Sequence, residues 1–207
     1  MLQYGTVNQG TLGLLTELMA MPELKDFFLV GGTALALRLG HRFSIDLDFF
    51  TLNEFDSESL LADIKKRFTV TEVEKSKNTL NLSIEFPENS GSKVKIDLIR
   101  YAYPLIKPVA EIDGIRLLEI EDIIPMKLSA VAARGSKKDF YDIYFLLKHY
   151  TLEEMFEFFD QKFENMNKFH IIKSLTYFED AETETDPVTI NKITWKEVKH
   201  AILREVK

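Results

Sequence analysis

The chain has 207 residues, 45% hydrophobic and 29% charged, with a net charge of −7 and no cysteine. That length suits one domain, or two small lobes sharing a cleft, and the lack of cysteine excludes disulfide frameworks and thiolate zinc sites. His41, His149, His170 and His200 lack zinc-ligand spacing, and no apolar run reaches the roughly 20 residues of a membrane span.

These features predict a soluble cytoplasmic protein with no membrane partner. Any metal it uses is expected to be hard and oxygen-bound, Mg²⁺ or Mn²⁺. The acidic balance argues against a general nucleic-acid binder, so an RNA substrate requires a local basic patch.

In chain order, residues 12–21 read as an opening helix. Residues 26–30 form a continuous apolar run that ends in Gly31-Gly32, as a buried strand does. A compact Ala/Leu helix follows over 33–39, then a strand over 45–50. Residues 57–68 read as a surface helix with Ser57 as N-cap. Strands are expected at 68–73, 80–86 and 94–99, the last two joined in a hairpin through Asn89-Ser90-Gly91-Ser92. After Pro104 and Pro108 helical periodicity takes over, at 120–134, 137–149, 152–163 and 169–178. Residues 179–186 make an acidic linker. Thr194-Trp195-Lys196-Glu197 is a capping box for a last amphipathic helix. The chain is therefore α/β first and helical second, divided as a core over 1–108 and a lobe over 109–207 that completes a cleft.

Chemistry concentrates at a few places. On a strand, Asp46 and Asp48 project from one face, roughly 6.5–7 Å apart at the backbone, with Ile45, Leu47 and Phe49 facing a core. Two like charges on one face repel unless a cation or solvent compensates them, and paired divalent ions there suit phosphoryl displacement. The alternative is a solvent-facing strand whose acids discourage aggregation. Gly31-Gly32-Thr33 precedes them. The glycines let backbone approach a phosphate, the helix start offers free N–H groups, and Thr33 serves as N-cap. Arg42 pairs either with a triphosphate oxygen or with Asp46; Ser44 sits in the same loop. Asp97 shares a strand face with Lys93 and Lys95. It is either a general base or metal ligand, or one rung of a surface ladder.

Lys127 and Arg134 share a helix face, suited to phosphate or simply solvated. Gly135 closes that helix, and Ser136-Lys137-Lys138-Asp139 reads as a capping box for the next. Asp139 thus has a structural task. Asp142, off the apolar stripe of Phe140, Ile143, Tyr144 and Leu147, is the better chemical candidate of the two.

The segment Gly31-Gly32-Thr33-Ala34-Leu35-Ala36, followed by Arg42-Phe43-Ser44-Ile45-Asp46-Leu47-Asp48-Phe49, resembles the AbiEii/AbiGii family of nucleotidyltransferase toxins. Lys127-Leu128-Ser129-Ala130, Arg134 and Lys138-Asp139-Phe140-Tyr141-Asp142-Ile143-Tyr144 resemble its later motifs, in the same order. The resemblance implies a DNA-polymerase-β-like nucleotidyltransferase core, a mixed sheet in an α/β (α+β) fold, followed by a helical C-terminal lobe. It implies Mg²⁺-dependent transfer of NMP from an NTP, with tRNA or another nucleic acid as acceptor, and a cognate antitoxin as partner. Asp46 and Asp48 would bind metal, with Asp97 as a third carboxylate. Lys127 and Asp142 would serve nucleotide binding and catalysis. Two other functions fit the residues: transfer to a protein or small molecule, and a non-catalytic module that binds a partner through the acidic linker and the Trp195 helix.

Overall fold

The computed structural model describes residues 1–88, 90–164 and 166–207. Asn89, expected in the hairpin turn, lies outside the described residues. Helix α1 (Gln9–Met19) is capped by the Asn8 side chain, which accepts from the Thr11 N–H. Strand β1 (Phe28–Val30) runs straight into α2 (Gly31–Leu39). Strand β2 (Leu47–Thr51) and helix α3 (Ser57–Lys65) follow. The N-cap of α3 is Asp56, not Ser57: its carboxylate accepts from Glu58 and Ser59 N–H groups, while Ser57 donates to the Ser76 carbonyl.

Three longer strands come next, β3 (Val70–Ser76), β4 (Thr79–Glu85) and β5 (Lys93–Arg100). As expected, β4 and β5 are an antiparallel pair. A short hairpin, β6 (Ala110–Ile112) and β7 (Ile115–Leu117), occupies residues the helical pattern leaves blank. Its turn is Asp113-Gly114, both at positive φ, a sequence signal that alternation over three residues is too short to reinforce.

The helices are α4 (Ile120–Arg134), α5 (Lys137–Leu146), α6 (Leu152–Lys162), α7 (Lys168–Leu175), α8 (Glu179–Glu182) and α9 (Trp195–Glu205). The capping box opening α9 forms as expected, with Thr194 and Glu197 exchanging bonds. The one expected at α5 does not. Ser136 Oγ instead donates to Glu184 at 2.8 Å, and Asp139 takes two cations as partners. A buried carboxylate gains more from charged partners than from a neutral backbone N–H.

The seven strands form one mixed sheet in the order β3-β4-β5-β2-β1-β7-β6. β2 runs parallel to β5, and β1 parallel to β7. One face is apolar and buried, through Leu47, Phe49, Leu80, Leu82, Ile96 and Leu98. The opposite face of β2 and β5 carries Asp48 and Asp97. α2 packs against β1, β2 and α4, so the helical half of the chain is seated on the helix that the two glycines open. Trp195 packs back onto α5, stacked 6.0 Å from Tyr141 and edge-on to Phe140 at 5.7 Å.

Candidate active site

The two glycines are required by what leans on them. Gly31 has φ +67°, and a Cβ there collides with the Asp48 carboxylate. A Cβ on Gly32 would stand 2.6 Å from Arg42 Nη2. Thr33 is not the N-cap, because the helix already starts at Gly31 with Val30 ahead of it. The Thr33 hydroxyl is buried instead. It donates to the Asp46 carbonyl and lies 2.8 Å from Ser44 Oγ, tying the loop before β2 to α2.

Asp48 stands opposite Asp97 in the parallel register of β2 and β5. Asp46 lies just ahead of β2. Strand alternation therefore does not reach back to Ile45, which is 61% exposed rather than in the core. Burial pushes the Asp48 carboxyl above its ordinary value, and the neighbouring Asp97 and Asp46 charges add to the effect against Lys127 and Lys95. Lys95 Nζ donates to Asp97 Oδ2 at 2.7 Å, whereas Asp97 Oδ1 is buried with no partner among the described residues.

The donor set fits a hard divalent cation. It is all oxygen, Asp48 has no direct ion pair among the described residues, and one Asp97 carboxylate oxygen is orphaned. Among the described residues the acids are not gathered into a ready-made cage of three ligands.

The cations are fixed from behind. Arg42 makes a bidentate pair with Asp142, Nε to Oδ1 at 2.6 Å and Nη2 to Oδ2 at 2.9 Å. It thus meets Asp142 rather than Asp46. Lys127 Nζ lies 2.6 Å from Asp142 Oδ2 and 3.1 Å from Asp139 Oδ1. Arg134 grips Asp139 through Nε at 2.7 Å and Nη2 at 2.9 Å. Burial alone would raise the Asp142 carboxyl. Lys127, Arg42 and a His41 hydrogen bond outweigh it and hold Asp142 well below the usual range. Asp142 is fully buried and does not line the cleft, so its reach to the site runs through Arg42 and Lys127.

A cleft of about 440 Å³ joins the pieces. Gly31, Gly32, Ser44, Asp46, Asp48 and Asp97 form one part, and Arg42, Lys127 and Arg134 another. Lys95, Lys138, Phe43 and Val188 also line it and were not singled out from sequence as site residues. Lys138 stands inside the Lys-Asp-Phe-Tyr-Asp segment, which was the available signal. Val188 has no local signal at all. A larger hollow, about 640 Å³ between Glu54 and Asn78, holds no comparable set of charges around a glycine turn.

Known proteins share this architecture. A family model described as the nucleotidyl transferase AbiEii toxin, type IV TA system, matches residues 13–206. An uncharacterized protein from Aquifex aeolicus (strain VF5) is 40% identical over 203 residues, 93% of this chain and 92% of its own. Two solved structures share the fold. JHP933 from Helicobacter pylori has a TM-score of 0.60 at 21% identity, over 97% of this chain and 91% of its own. MenT4, a nucleotidyltransferase toxin from Mycobacterium tuberculosis H37Rv, has a TM-score of 0.63 at 15% identity, over 96% and 86%.

Proposed function

The chain belongs to the AbiEii family of nucleotidyl transferase toxins of type IV toxin–antitoxin systems, and from that premise we propose that it transfers a nucleoside monophosphate from an NTP to a tRNA hydroxyl. The observation that carries this reading is the pairing of Asp48 with Asp97 across β2 and β5, in one cleft with the glycine turn and the buried-acid-backed cations.

The Gly31-Gly32 backbone and the first N–H groups of α2 receive phosphate oxygens. Arg42, Lys127 and Arg134 offset the triphosphate charge, while Asp142 and Asp139 act as positioning residues that keep those cations in place. Asp46 and Asp48 would hold Mg²⁺ or Mn²⁺, which when bound neutralises phosphate charge and orients the α-phosphate. Asp97, which lines the same cleft, is the general base placed to accept the proton of the acceptor hydroxyl. The hydroxyl oxygen bonds to the α-phosphorus, the bond to the β-phosphate oxygen breaks, and pyrophosphate leaves. A cognate antitoxin is the expected cellular partner.

One observation favours a second acceptor. Beside the cleft the sheet face mixes Lys93 and Lys95 with Glu72 and Glu74, and the chain is acidic overall. A field of mixed sign suits a protein or small-molecule hydroxyl better than a phosphodiester backbone.

The test is transfer of label from each of the four NTPs to total tRNA or to cell protein. Label on tRNA, lost about 10³-fold or more in Asp48→Asn, is the expected result. Label on protein alone rejects the tRNA acceptor, and undiminished transfer by Asp48→Asn rejects the mechanism.

A further inference from the structure

The cleft has an apolar lip made by two distant parts of the chain. Arg42 forms an antiparallel bridge with Thr189. The Phe43 N–H donates to the Val188 carbonyl at 2.8 Å, and the Ile190 N–H to the His41 carbonyl at 2.9 Å. Opposed residues of an antiparallel pair project to the same face, so Phe43 and Val188 stand side by side. Phe43 is 45% exposed, Val188 66% and Ile45 61%, and all three line the same cleft as the acids and cations.

Single exposed apolar residues need no explanation; three gathered at the mouth of an otherwise charged cleft do. Their backbone is tied into the fold on both sides. Arg42 is locked to Asp142, and the segment carrying Val188 is held by the buried Lys137, whose ammonium donates to the Glu184 carbonyl and lies 3.1 Å from Asp186 Oδ1.

We propose that Phe43, backed by Val188 and Ile45, is the platform on which the base of the incoming NTP lies. This inference rests on the nucleotide reading above. A nucleotide is a charged tail joined to a flat, weakly polar ring, and the cleft repeats that division. Charges surround the glycine turn, and an aromatic face stands at the lip. Stacking on an aromatic ring tolerates any base, so the platform adds affinity without selecting strongly among the four. The C-terminal segment around Val188 is thereby part of the nucleotide site.

Calorimetry on the full chain tests it, with each of the four NTPs and with inorganic tripolyphosphate, all in the presence of Mg²⁺. The variants are Phe43→Ala and Val188→Ser, both at exposed side chains and so expected to melt as the wild type does. Wild type should bind NTPs more tightly than tripolyphosphate. Phe43→Ala should weaken NTP binding roughly tenfold or more, by the loss of one stacking contact, and leave tripolyphosphate unchanged. Val188→Ser should do the same to a smaller degree. NTP binding indifferent to Phe43 overturns the platform and spares the nucleotide reading. An equal loss for NTP and tripolyphosphate also overturns it, since the residue then serves the phosphates. Failure of wild type to bind any NTP overturns the nucleotide reading and the platform together.

Discussion

At the scale of single residues, the site places charge where folding alone would not. Asp48 is pressed between Gly31, Asp97 and the interior, and its carboxyl is raised by burial first and by its acidic neighbours second. Asp48→Asn removes that burden and keeps the shape. The variant should therefore melt at a higher temperature than wild type even as transfer is lost, and calorimetry beside the labelling assay checks both. A lower melting temperature rejects the idea that the acid is held at a cost. His41 behaves differently. Burial lowers its ring below the ordinary 6.5, more than the Asp142 hydrogen bond raises it. Asp142 likewise titrates well below 3.8 in the fold. In both cases the unfolded chain binds protons first, so stability is complete above about 6.5 and declines as pH falls, from His41 first and from Asp142 at lower pH. His41→Gln should flatten the first decline in melting temperature and leave the second.

At the scale of elements, the segment between α8 and α9 behaves as a strap. Lys137, at the start of α5, is almost fully buried, and its ammonium faces the Glu182 and Glu184 carbonyls and the Asp186 carboxylate. A lysine without water is stable only when its donors are spent in this way. Lys137→Met keeps the stem and deletes the charge. The amides of Phe43 and Ile190, which close the bridge between the strap and the loop before β2, should then exchange at least about tenfold faster. Unchanged exchange at those two amides would show that the strap is held elsewhere.

At the scale of the whole molecule, the two halves of the sequence are interleaved. β7 pairs with β1 in parallel, α4 packs on α2, and Arg42 finds its counter-ion on α5. A fragment of residues 1–108 exposes the edge of β1, uncovers α2 and leaves the Arg42 guanidinium without Asp142. Circular dichroism of that fragment should show no cooperative melting, whereas the full chain melts cooperatively. A fragment that melts sharply would mean the first half is an independent domain. Among the described residues no helix is long and apolar enough to cross a membrane.

Sequence alone determined the order of most elements, because periodicity, capping residues and glycines are local and leave their mark within a turn or two. It placed β1, α2, β2 and the whole of α4, and it marked the acids, the glycine turn and Lys127 as one group. Its errors came where a distant partner outweighs a local preference. Ser136 and Asp139 spell a capping box yet bond Glu184, Lys127 and Arg134. Asp142 stands out in the sequence as the chemical candidate of its helix, and which groups it meets, Arg42, His41 and Lys127, is set by the fold. Strand pairing, ion pairing and the joining of Phe43 to Val188 depend on which segments meet across the fold. Burial then decides their strength, since a charge removed from water is held by whatever opposite charge the tertiary structure brings within reach.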